Sequence, residues 1–295
     1  MILRGSPLAA RLRAEIQGSI AALIAGGGQP PRLATLLVGH HPSAEAYRAS
    51  IDRTMRKVGV EHLAHDLPAT ASAAALIRQL RELNADPSVT GVLVLMPLPE
   101  HLPITLVFEH LSPLKDVDGI TPTNAGRLHL GLPSLCPSTP QGGIELLDHY
   151  GIPIEGKRAV VVGRSNVVGR PMAALLLQRH ATVTICHRRT VDLAAIAREA
   201  DIIAVAAGQP GLITPEFVRP GATVIDFGVN VDDGRVVGDA QFDALLSVAG
   251  AITPVPGGTG PVTALVLARN TVAAGFAALS GSLDHVDLAR ADLPC

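Results

Sequence analysis

A strand–loop–helix pattern near the middle of the chain leaves few folds open. An apolar, β-branched run at 160–162 ends at Gly163, a polar loop follows, and Gly169 and Pro171 open an apolar helical segment. A buried parallel strand that leads into a helix N-terminus makes an anion site from backbone N–H groups and the helix dipole. The pattern indicates the first turn of a dinucleotide-binding unit, and therefore an enzyme with a nucleotide cofactor.

Apolar segments of strand length alternate with helical ones, which predicts βαβ units and mostly parallel sheets. In the first half we expect helices over 7–25, from Ser43 to 57 and over 71–84, and strands over 33–39, 60–67 and 89–96. From 158 the pattern is doubly wound, with strands near 158–163, 181–186, 201–207, 222–227 and 249–253. A helix is expected between the first two of these strands, and a terminal helix over 262–279. The expected fold class is α/β.

Residues 112–143 read as one long irregular stretch, and a connection of this length in a compact domain is usually functional. Thr139 and Pro140 suit the cap and the first position of the helix that follows. The polar tail over 281–295 is expected to be peripheral.

Composition narrows the class of protein. A chain of 295 residues holds two domains, and 24 basic against 26 acidic side chains create no field that favours nucleic acid. Aromatic residues make up only 2%, which argues against a stacking surface for nucleic acid. Three widely spaced cysteines indicate neither a disulfide framework nor a zinc site. With charged residues where a signal peptide would be apolar, and no uncharged run of membrane-spanning length, we expect a soluble cytoplasmic protein.

The glycines of the central pattern are separated by five residues, a spacing that differs from the common Gly-x-Gly-x-x-Gly fingerprint. The βαβ context nevertheless favours a cofactor role for Gly163, Arg164, Ser165 and Gly169. The alternative is that the two glycines serve only the packing of the strand against the helix.

The end of the second strand of this half indicates which dinucleotide binds. NAD-specific sites usually place an acidic residue there to bind the ribose. Here the strand leads into four polar residues, His187, Arg188, Arg189 and Thr190. The first acidic residue beyond them is Asp192. Because arginine pairs with phosphate through two hydrogen bonds, we interpret the site, with Arg164, as one for NADP; a solvated basic loop is the alternative.

Six segments, in order and with compatible spacing, carry a resemblance to a known family. They are 38–43 with Tyr47, Pro-Leu-Pro at 97–99, Lys-Asp-Val-Asp-Gly at 115–119, 139–142, 162–165 and 254–261. The chain resembles the methylenetetrahydrofolate dehydrogenase/methenyltetrahydrofolate cyclohydrolase family from about residue 5 to 280.

The resemblance implies a folate-binding catalytic domain at 1–139 with 262–282, a Rossmann-like NADP domain at 140–261, and a peripheral tail at 283–295. Folate would bind in a cleft between the domains. The family oxidises 5,10-methylenetetrahydrofolate by hydride transfer to NADP, and most members hydrolyse the methenyl product. It also implies a homodimer formed through the NADP domain, without a nucleic-acid or membrane partner.

The same resemblance assigns roles to individual residues. Tyr47 would lie against the aminobenzoate ring of the folate, and Asp118 would accept hydrogen bonds from the pterin. The alternatives are an ordinary half-buried helix tyrosine and a loop-capping aspartate. A glycine-rich loop would close over folate and nicotinamide, with substrate contacts from Pro256, Gly257, Gly258 and Pro261 and a cofactor contact from Gly258.

The chain departs from the family at two catalytic positions. Ile51 stands where the family has a lysine, and Leu95 stands where it has a glutamine. That pair handles the proton and the water in hydrolysis, and neither an isoleucine nor a leucine does so. Two aliphatic side chains make a drier pocket, which suits hydride transfer. Histidine in general is the side chain that changes charge near neutral pH, so His40 and His41 are the candidates for a substitute base.

Three functions follow from this pattern. The first is an NADP-dependent methylenetetrahydrofolate dehydrogenase whose cyclohydrolase activity is weak or absent. The second is a full bifunctional enzyme that uses a substitute base. The third is a folate- or nucleotide-binding relative that has lost catalysis.

Overall fold

A computed structural model of the chain describes residues 1–284, so most of the tail expected at 281–295 lies outside the described residues. The helices, numbered in chain order, are α1 Gly5–Ala25, α2 Pro42–Val58, α3 Ala73–Ala85, α4 Thr105–His110, α5 Pro122–His129, α6 Ser138–His149, α7 Gly169–Gln178, α8 Leu193–Ala197, α9 Phe242–Leu245 and α10 Gly260–Ser280. The strands are β1 Arg32–Val38, β2 Glu61–Leu67, β3 Gly91–Val94, β4 Arg158–Val162, β5 Thr182–Cys186, β6 Ile202–Val205, β7 Thr223–Asp226, β8 Asn230–Asp232, β9 Arg235–Val237 and β10 Ala251–Ile252. The predicted α/β class is confirmed.

The chain divides into two compact units. The three-stranded unit comprises Arg11–Ser138 and the chain from Ala264 onward. Its sheet is parallel, with strand order β2-β1-β3, and Thr35 on β1 is in register with Ala64 and Leu93. Because β1 is central, six of its seven residues are buried. Helix α2 buries one face, made of Ala44, Ile51, Met55 and Val58, a spacing that suits a helix packed on a core.

The five-stranded unit comprises Met1–Ala10 and Thr139–Thr263. Its parallel sheet has the order β10-β7-β6-β4-β5, so the chain leaves β4 toward β5 on one side and returns to β6 on the other. An antiparallel hairpin, β8–β9, lies outside this sheet. Residues 1–10 were expected in the domain at 1–139. In the structure they belong to the five-stranded unit, where Leu3 donates its N–H to the carbonyl of Ile252.

Two local expectations were wrong. The stretch 112–143 is not irregular throughout, because Pro122–His129 is a helix whose cap Thr121 accepts the N–H of Asn124. Ser43 does not cap the second helix, which begins at Pro42 after the N-cap His41. Proline fits the first helical turn because backbone N–H groups there have no acceptor within the helix, so the N–H that proline lacks is not needed. The helix expected after the cap Thr139 begins slightly earlier, at Ser138.

Helix α10 is long and apolar enough to span a membrane by length and composition alone. It contains Arg269, however, and 78% of its most apolar window is buried inside the protein. Core helices of soluble proteins share these properties, so the helix is weak evidence for a membrane span.

Candidate active site

A cavity of about 570 Å³ opens in the five-stranded unit where β4, β5 and β6 end. Its lining includes Gly163, Arg164 and Ser165 after β4, His187, Arg188 and Thr190 after β5, and Ala206, Ala207 and Gln209 after β6. Strand order reverses at β4, and ligands of doubly wound sheets bind at such a point, beyond the carboxyl ends of the strands. The cavity is therefore the expected cofactor site of this unit.

Two glycines allow the chain to turn tightly beside the cavity. Gly163 has a φ of 136°, and a Cβ there would collide with the carbonyl of Ala206. A Cβ on Gly169 would collide with the carbonyl of Gly163. Ser165 closes the same loop, because its hydroxyl accepts the N–H groups of Val168 and Gly169 at 3.1 and 3.3 Å. The alternative considered from the sequence, a packing role for the two glycines, is therefore part of their function.

The charge of the cavity wall suits an anionic ligand. Arg164 and Arg188 line it, and none of the described residues in its lining is acidic. Arg189 is not among the lining residues; its backbone N–H donates to the ring of His187 at 3.2 Å. Thr190 accepts the N–H of His187 at 2.9 Å and so shapes the turn after β5. Two guanidinium groups without a competing carboxylate suit a dinucleotide that carries a further phosphate on its ribose.

The glycine-rich loop at 256–261 lies in the five-stranded unit and leads into α10. Gly257 accepts the N–H of Gly5 through its carbonyl, and Gly258 donates to the carbonyl of Pro254 at 2.8 Å. A side chain on Gly5 would collide with the carbonyl of Gly258. Pro256 follows a cis peptide bond, and Pro261 lies in the first turn of the helix. A Cβ on Gly258 would collide with the carbonyl of Pro254, and Gly257 has a φ of 106°, so backbone geometry accounts for these two glycines.

In the three-stranded unit, Tyr47, Asp118 and Ser138 come together. Asp118 accepts two hydrogen bonds from Ser138 at the same carboxylate oxygen, from the hydroxyl at 3.1 Å and from the backbone N–H at 3.3 Å. Tyr47 lies on α2, close enough to Asp118 and Ser138 for both side chains to affect the pKa of its phenol. The structure thus brings together two residues predicted from the sequence and adds a third, Ser138, that the sequence reasoning did not include.

Hydrogen bonds of Lys115 and Asp116 fix the loop that carries Asp118. Lys115 donates to the carbonyls of Leu83 and Asp86 at the end of α3. Asp116 is fully buried and accepts two backbone N–H groups, of Ile120 at 3.1 Å and Thr121 at 2.7 Å. These bonds leave Asp118 as the acidic residue of the motif whose side chain lies beside Tyr47.

Two further contacts fix the same loop. Gly119 has a φ of 59°, and a Cβ there would collide with the carbonyl of Leu135. Asn270 of α10 donates from its side chain to the carbonyls of Val117 at 2.8 Å and Cys136 at 2.7 Å. Asn270 was also missed, because its role depends on a contact 153 positions away in the sequence.

The surroundings shift both titrating side chains. Burial raises the pKa of Asp118 to about 7, the charge of Asp116 adds to the rise, and the bonds from Ser138 oppose it. Desolvation and the nearby Asp118 charge raise the pKa of the Tyr47 phenol, although 36% of the residue's surface remains exposed. Near neutral pH the phenol is therefore protonated, while Asp118 is poised between its two forms.

The two positions that depart from the family are packed in the core of the three-stranded unit. Ile51 is 0% exposed on the buried face of α2, and Leu95, just after β3, is 2% exposed. Leu95 donates its N–H to the carbonyl of Leu36, which continues the pairing of β3 with β1. Neither side chain has a group that holds a proton or a water.

The histidines considered as substitute bases lie elsewhere. His40 bonds Glu45 at 3.1 Å, and His41 bonds the hydroxyl of Ser43 at 2.9 Å, before or at the start of α2. Ile51 is ten positions beyond the N-cap His41, or about 15 Å along a helix. A third imidazole, His62, has both ring nitrogens engaged, with Thr35 at 2.8 Å and Asp52 at 3.2 Å.

Two family models cover most of the chain. Residues 3–118 match the catalytic domain of tetrahydrofolate dehydrogenase/cyclohydrolase, and residues 137–278 match its NAD(P)-binding domain. The bifunctional protein FolD of Chloroflexus aurantiacus is 55% identical over 274 residues, which cover 92% of this chain and 96% of the relative.

Solved structures agree with these matches. The bifunctional FolD methylenetetrahydrofolate dehydrogenase/cyclohydrolase of Campylobacter jejuni superposes with a TM-score of 0.90 at 40% identity, over 94% of this chain and 98% of the other. The Trypanosoma brucei enzyme, solved with NADP and an inhibitor, has a TM-score of 0.89 at 35% identity, over 95% and 98% of the two chains. The chain described here belongs to the tetrahydrofolate dehydrogenase/cyclohydrolase family.

Proposed function

We propose that the protein is an NADP-dependent methylenetetrahydrofolate dehydrogenase whose methenyltetrahydrofolate cyclohydrolase activity is weak or absent. The observation that carries the proposal is a contrast within one unit. Asp118 is hydrogen-bonded by Ser138 and lies beside Tyr47, whereas the two positions of the hydrolytic pair are buried aliphatic residues.

The cofactor cavity supports NADP over NAD. Arg164 and Arg188 line it, and the described lining residues include no carboxylate that would repel a 2′-phosphate. A Cβ on Gly163 would collide with the carbonyl of Ala206, so this glycine allows the chain after β4 to lie close to the chain after β6 at the cavity. When bound, the nicotinamide supplies the hydride acceptor for the oxidation.

The chain's own groups bind and orient the folate in this proposal. Asp118 offers a carboxylate to the adjacent N–H groups of the pterin, a paired arrangement that a carboxylate matches. Its bonds from Ser138 both go to one oxygen, which fixes the direction of the carboxylate before substrate arrives. The ring of Tyr47 stacks on the aminobenzoate. Hydride transfer needs this alignment and the exclusion of water, which the buried Ile51 and Leu95 favour.

A full bifunctional dehydrogenase/cyclohydrolase is the second candidate. It is favoured by the relative from Chloroflexus aurantiacus, which is 55% identical and is a bifunctional protein. Hydrolysis in this chain would then need a base other than the family lysine. His40 and His41 are the candidates, although their contacts place them at the start of α2.

Two assays separate these functions. In the first, methylenetetrahydrofolate and NADP are mixed with the enzyme, and formation of reduced cofactor is followed; we expect a clear rate that depends on enzyme concentration. In the second, methenyltetrahydrofolate is added alone, and we expect decay at the rate of buffer. Enzyme-accelerated decay would establish the bifunctional candidate. Folate binding by calorimetry with neither reaction would establish a relative without catalysis.

The proposal also covers the oligomeric state and the cellular location of the protein. A homodimer formed through the NADP-binding unit is supported by β5, which lies at the edge of its sheet and carries Ile185, 44% exposed. We propose a cytoplasmic enzyme that has neither a nucleic-acid nor a membrane partner, in keeping with its balanced charge and few aromatic residues.

A further inference from the structure

A buried carboxylate lies behind the wall of the cofactor cavity. Asp239 follows β9 and is 0% exposed. One of its oxygens accepts the backbone N–H groups of Ala207 at 2.6 Å and Gly208 at 2.9 Å. The other accepts the backbone N–H of Gln209 at 3.0 Å and the side-chain amide of Asn230 at 2.8 Å. Four donors therefore converge on one carboxylate.

Three of these donors belong to a loop that forms part of the cavity. The loop follows β6, and three of its residues line the cavity: Ala206, Ala207 and Gln209. Gly208, which lies between Ala207 and Gln209, has a φ of 65°. Successive N–H groups that point inward around a left-handed residue form a concave anion-binding nest. Here the anion is supplied by the protein itself, so the carboxylate determines the path of the loop.

A second carboxylate holds Asp239 in place. Asp226, at the end of β7, accepts the backbone N–H groups of Gly228 at 2.7 Å, Asp239 at 3.1 Å and Ala240 at 2.8 Å. A Cβ on Gly228 would collide with the carboxylate of Asp239, and a Cβ on Gly238 would collide with that of Asp226. The two glycines make room for the two carboxylates, so this arrangement depends on several residues of the segment 226–240.

We propose that Asp239 is a positioning residue for the cofactor: its carboxylate holds residues 207–209 in the shape that the dinucleotide needs. Asp239 acts through the loop, since three backbone N–H groups of the loop end on its two oxygens. The inference rests on the proposed function only in that the cavity takes NADP.

The test is the affinity for NADPH, measured by titrating the fluorescence of the nucleotide, with thermal unfolding recorded alongside. In Asp239→Asn one acceptor oxygen becomes an amide that faces N–H donors, and we expect the dissociation constant to rise at least about tenfold. We expect kcat at saturating cofactor to stay within about twofold of wild type, because the loop shape is recovered on binding. A role confined to folding would lower the unfolding temperature and leave the affinity of the folded protein unchanged.

Two further variants keep the test decisive. Gly208→Ala keeps both carboxylates but strains the left-handed residue, and it has open space for the added methyl group. We expect weaker NADPH binding in this variant too, whether or not Asp239→Asn folds. Asp243→Asn is the matched control, because it makes the same carboxylate-to-amide change on an exposed residue of α9 in the same unit. Its affinity should stay within about twofold of wild type.

The inference is overturned if folded Asp239→Asn, or Gly208→Ala where the first does not fold, binds NADPH as tightly as wild type. A wild-type protein that binds NADPH but does not oxidise methylenetetrahydrofolate would contradict the proposed function and leave this inference standing.

Discussion

At the scale of single residues, the groups proposed to bind substrate differ in their surroundings from the two positions proposed to have lost water activation. Ser138 donates two hydrogen bonds to Asp118, and Tyr47 lies beside this pair. Ile51 and Leu95 are fully buried carbon side chains. Burial of a polar side chain without a partner costs on the order of 1–3 kcal/mol, so replacement of both members of a polar pair by apolar residues removes a penalty that replacement of one would leave.

Substrate binding should depend on the ionisation of Asp118. The pKa of this carboxyl is raised to about 7, so its ionised fraction increases about tenfold between about pH 6 and pH 8. The pterin donates hydrogen bonds to the ionised form, and the KM for methylenetetrahydrofolate should therefore fall by up to about tenfold as the pH rises through this range. Initial rates at saturating NADP measure this KM. Asp118→Asn has no carboxyl to titrate, and its weaker binding should not follow the same profile; a flat wild-type profile contradicts the assignment.

Restoration of the family pair should restore hydrolysis. In the double variant Ile51→Lys with Leu95→Gln, an amine and an amide occupy positions that now hold buried carbon. We expect decay of methenyltetrahydrofolate faster than in buffer, with a loss of stability of a few kcal/mol because an ammonium group is buried. Spectroscopic decay and chemical denaturation measure the two effects.

The matched control is Ser50→Lys with Leu95→Gln, which places the amine one residue away on a half-buried position of α2. We expect no accelerated hydrolysis from it. If the folded Ile51→Lys, Leu95→Gln variant behaves as the control does, the pocket differs from the family at more than these two positions.

At the scale of elements, the Asp118 loop is a short segment held by contacts with three helices, α3, α5 and α10. Lys115 ties it to the end of α3, and Asp116 fixes the start of α5. Asn270 of α10 donates to the carbonyl of Val117 in the loop and to that of Cys136, which follows α5. The elements thus set the position of the carboxylate before substrate binds, which lowers the entropic cost of orienting the pterin.

Asn270→Ala should loosen this loop. The variant leaves the buried carbonyls of Val117 and Cys136 without their side-chain donor, which should cost about 2 kcal/mol of unfolding free energy. We also expect a higher KM for methylenetetrahydrofolate, and urea denaturation together with initial rates measures both. Ser280→Ala, at the exposed end of the same helix, should change neither value. Unchanged stability in Asn270→Ala would show that the loop does not depend on α10.

Periodicity and breakers predicted most elements, and the misses have physical reasons. The five parallel strands of the second half were predicted because each is a short apolar run, and β4, β6 and β7 are buried almost throughout. The helix Pro122–His129 was missed because it is short and contains a glycine, yet Thr121 and Pro122 are a helix-start signal. The hairpin β8–β9 was missed although Asp233 and Gly234, both with positive φ, are a common two-residue turn.

The candidate site was predictable in part for a related reason. Tyr47 and Asp118 belong to motifs that are recognisable in the sequence, whereas Ser138 and Asn270 act through contacts 20 and 153 positions away. No local pattern marks such residues, because their partners are set by packing.

At the scale of the whole molecule, the chain consists of two compact units, each with its own parallel sheet. The five-stranded unit carries the cofactor cavity, and the three-stranded unit carries Tyr47 and Asp118. The NAD(P)-binding domain model of the family matches residues 137–278, and its catalytic domain model matches residues 3–118.

Ile185→Arg should convert the proposed dimer into a monomer. The side chain is 44% exposed on the edge strand β5, and a guanidinium group there would be buried without a partner in a dimer formed at this edge. Light scattering coupled to size-exclusion chromatography measures the mass. Ile24→Arg is the matched control, with a similarly exposed isoleucine on α1 of the three-stranded unit, and should remain dimeric. A wild-type monomer, or an Ile185→Arg dimer, contradicts the proposal.

The fate of the methenyl product on the enzyme tests the functional account most directly. In a single turnover, with enzyme and NADP in excess over methylenetetrahydrofolate, reduced cofactor and methenyltetrahydrofolate are followed together by their absorbance. We predict that the two products form in equal amounts and that the methenyl signal then decays only at the rate measured in buffer, because Ile51 and Leu95 hold neither a proton nor a water. Absence of reduced cofactor, or decay of the methenyl signal faster than in buffer, would contradict the account.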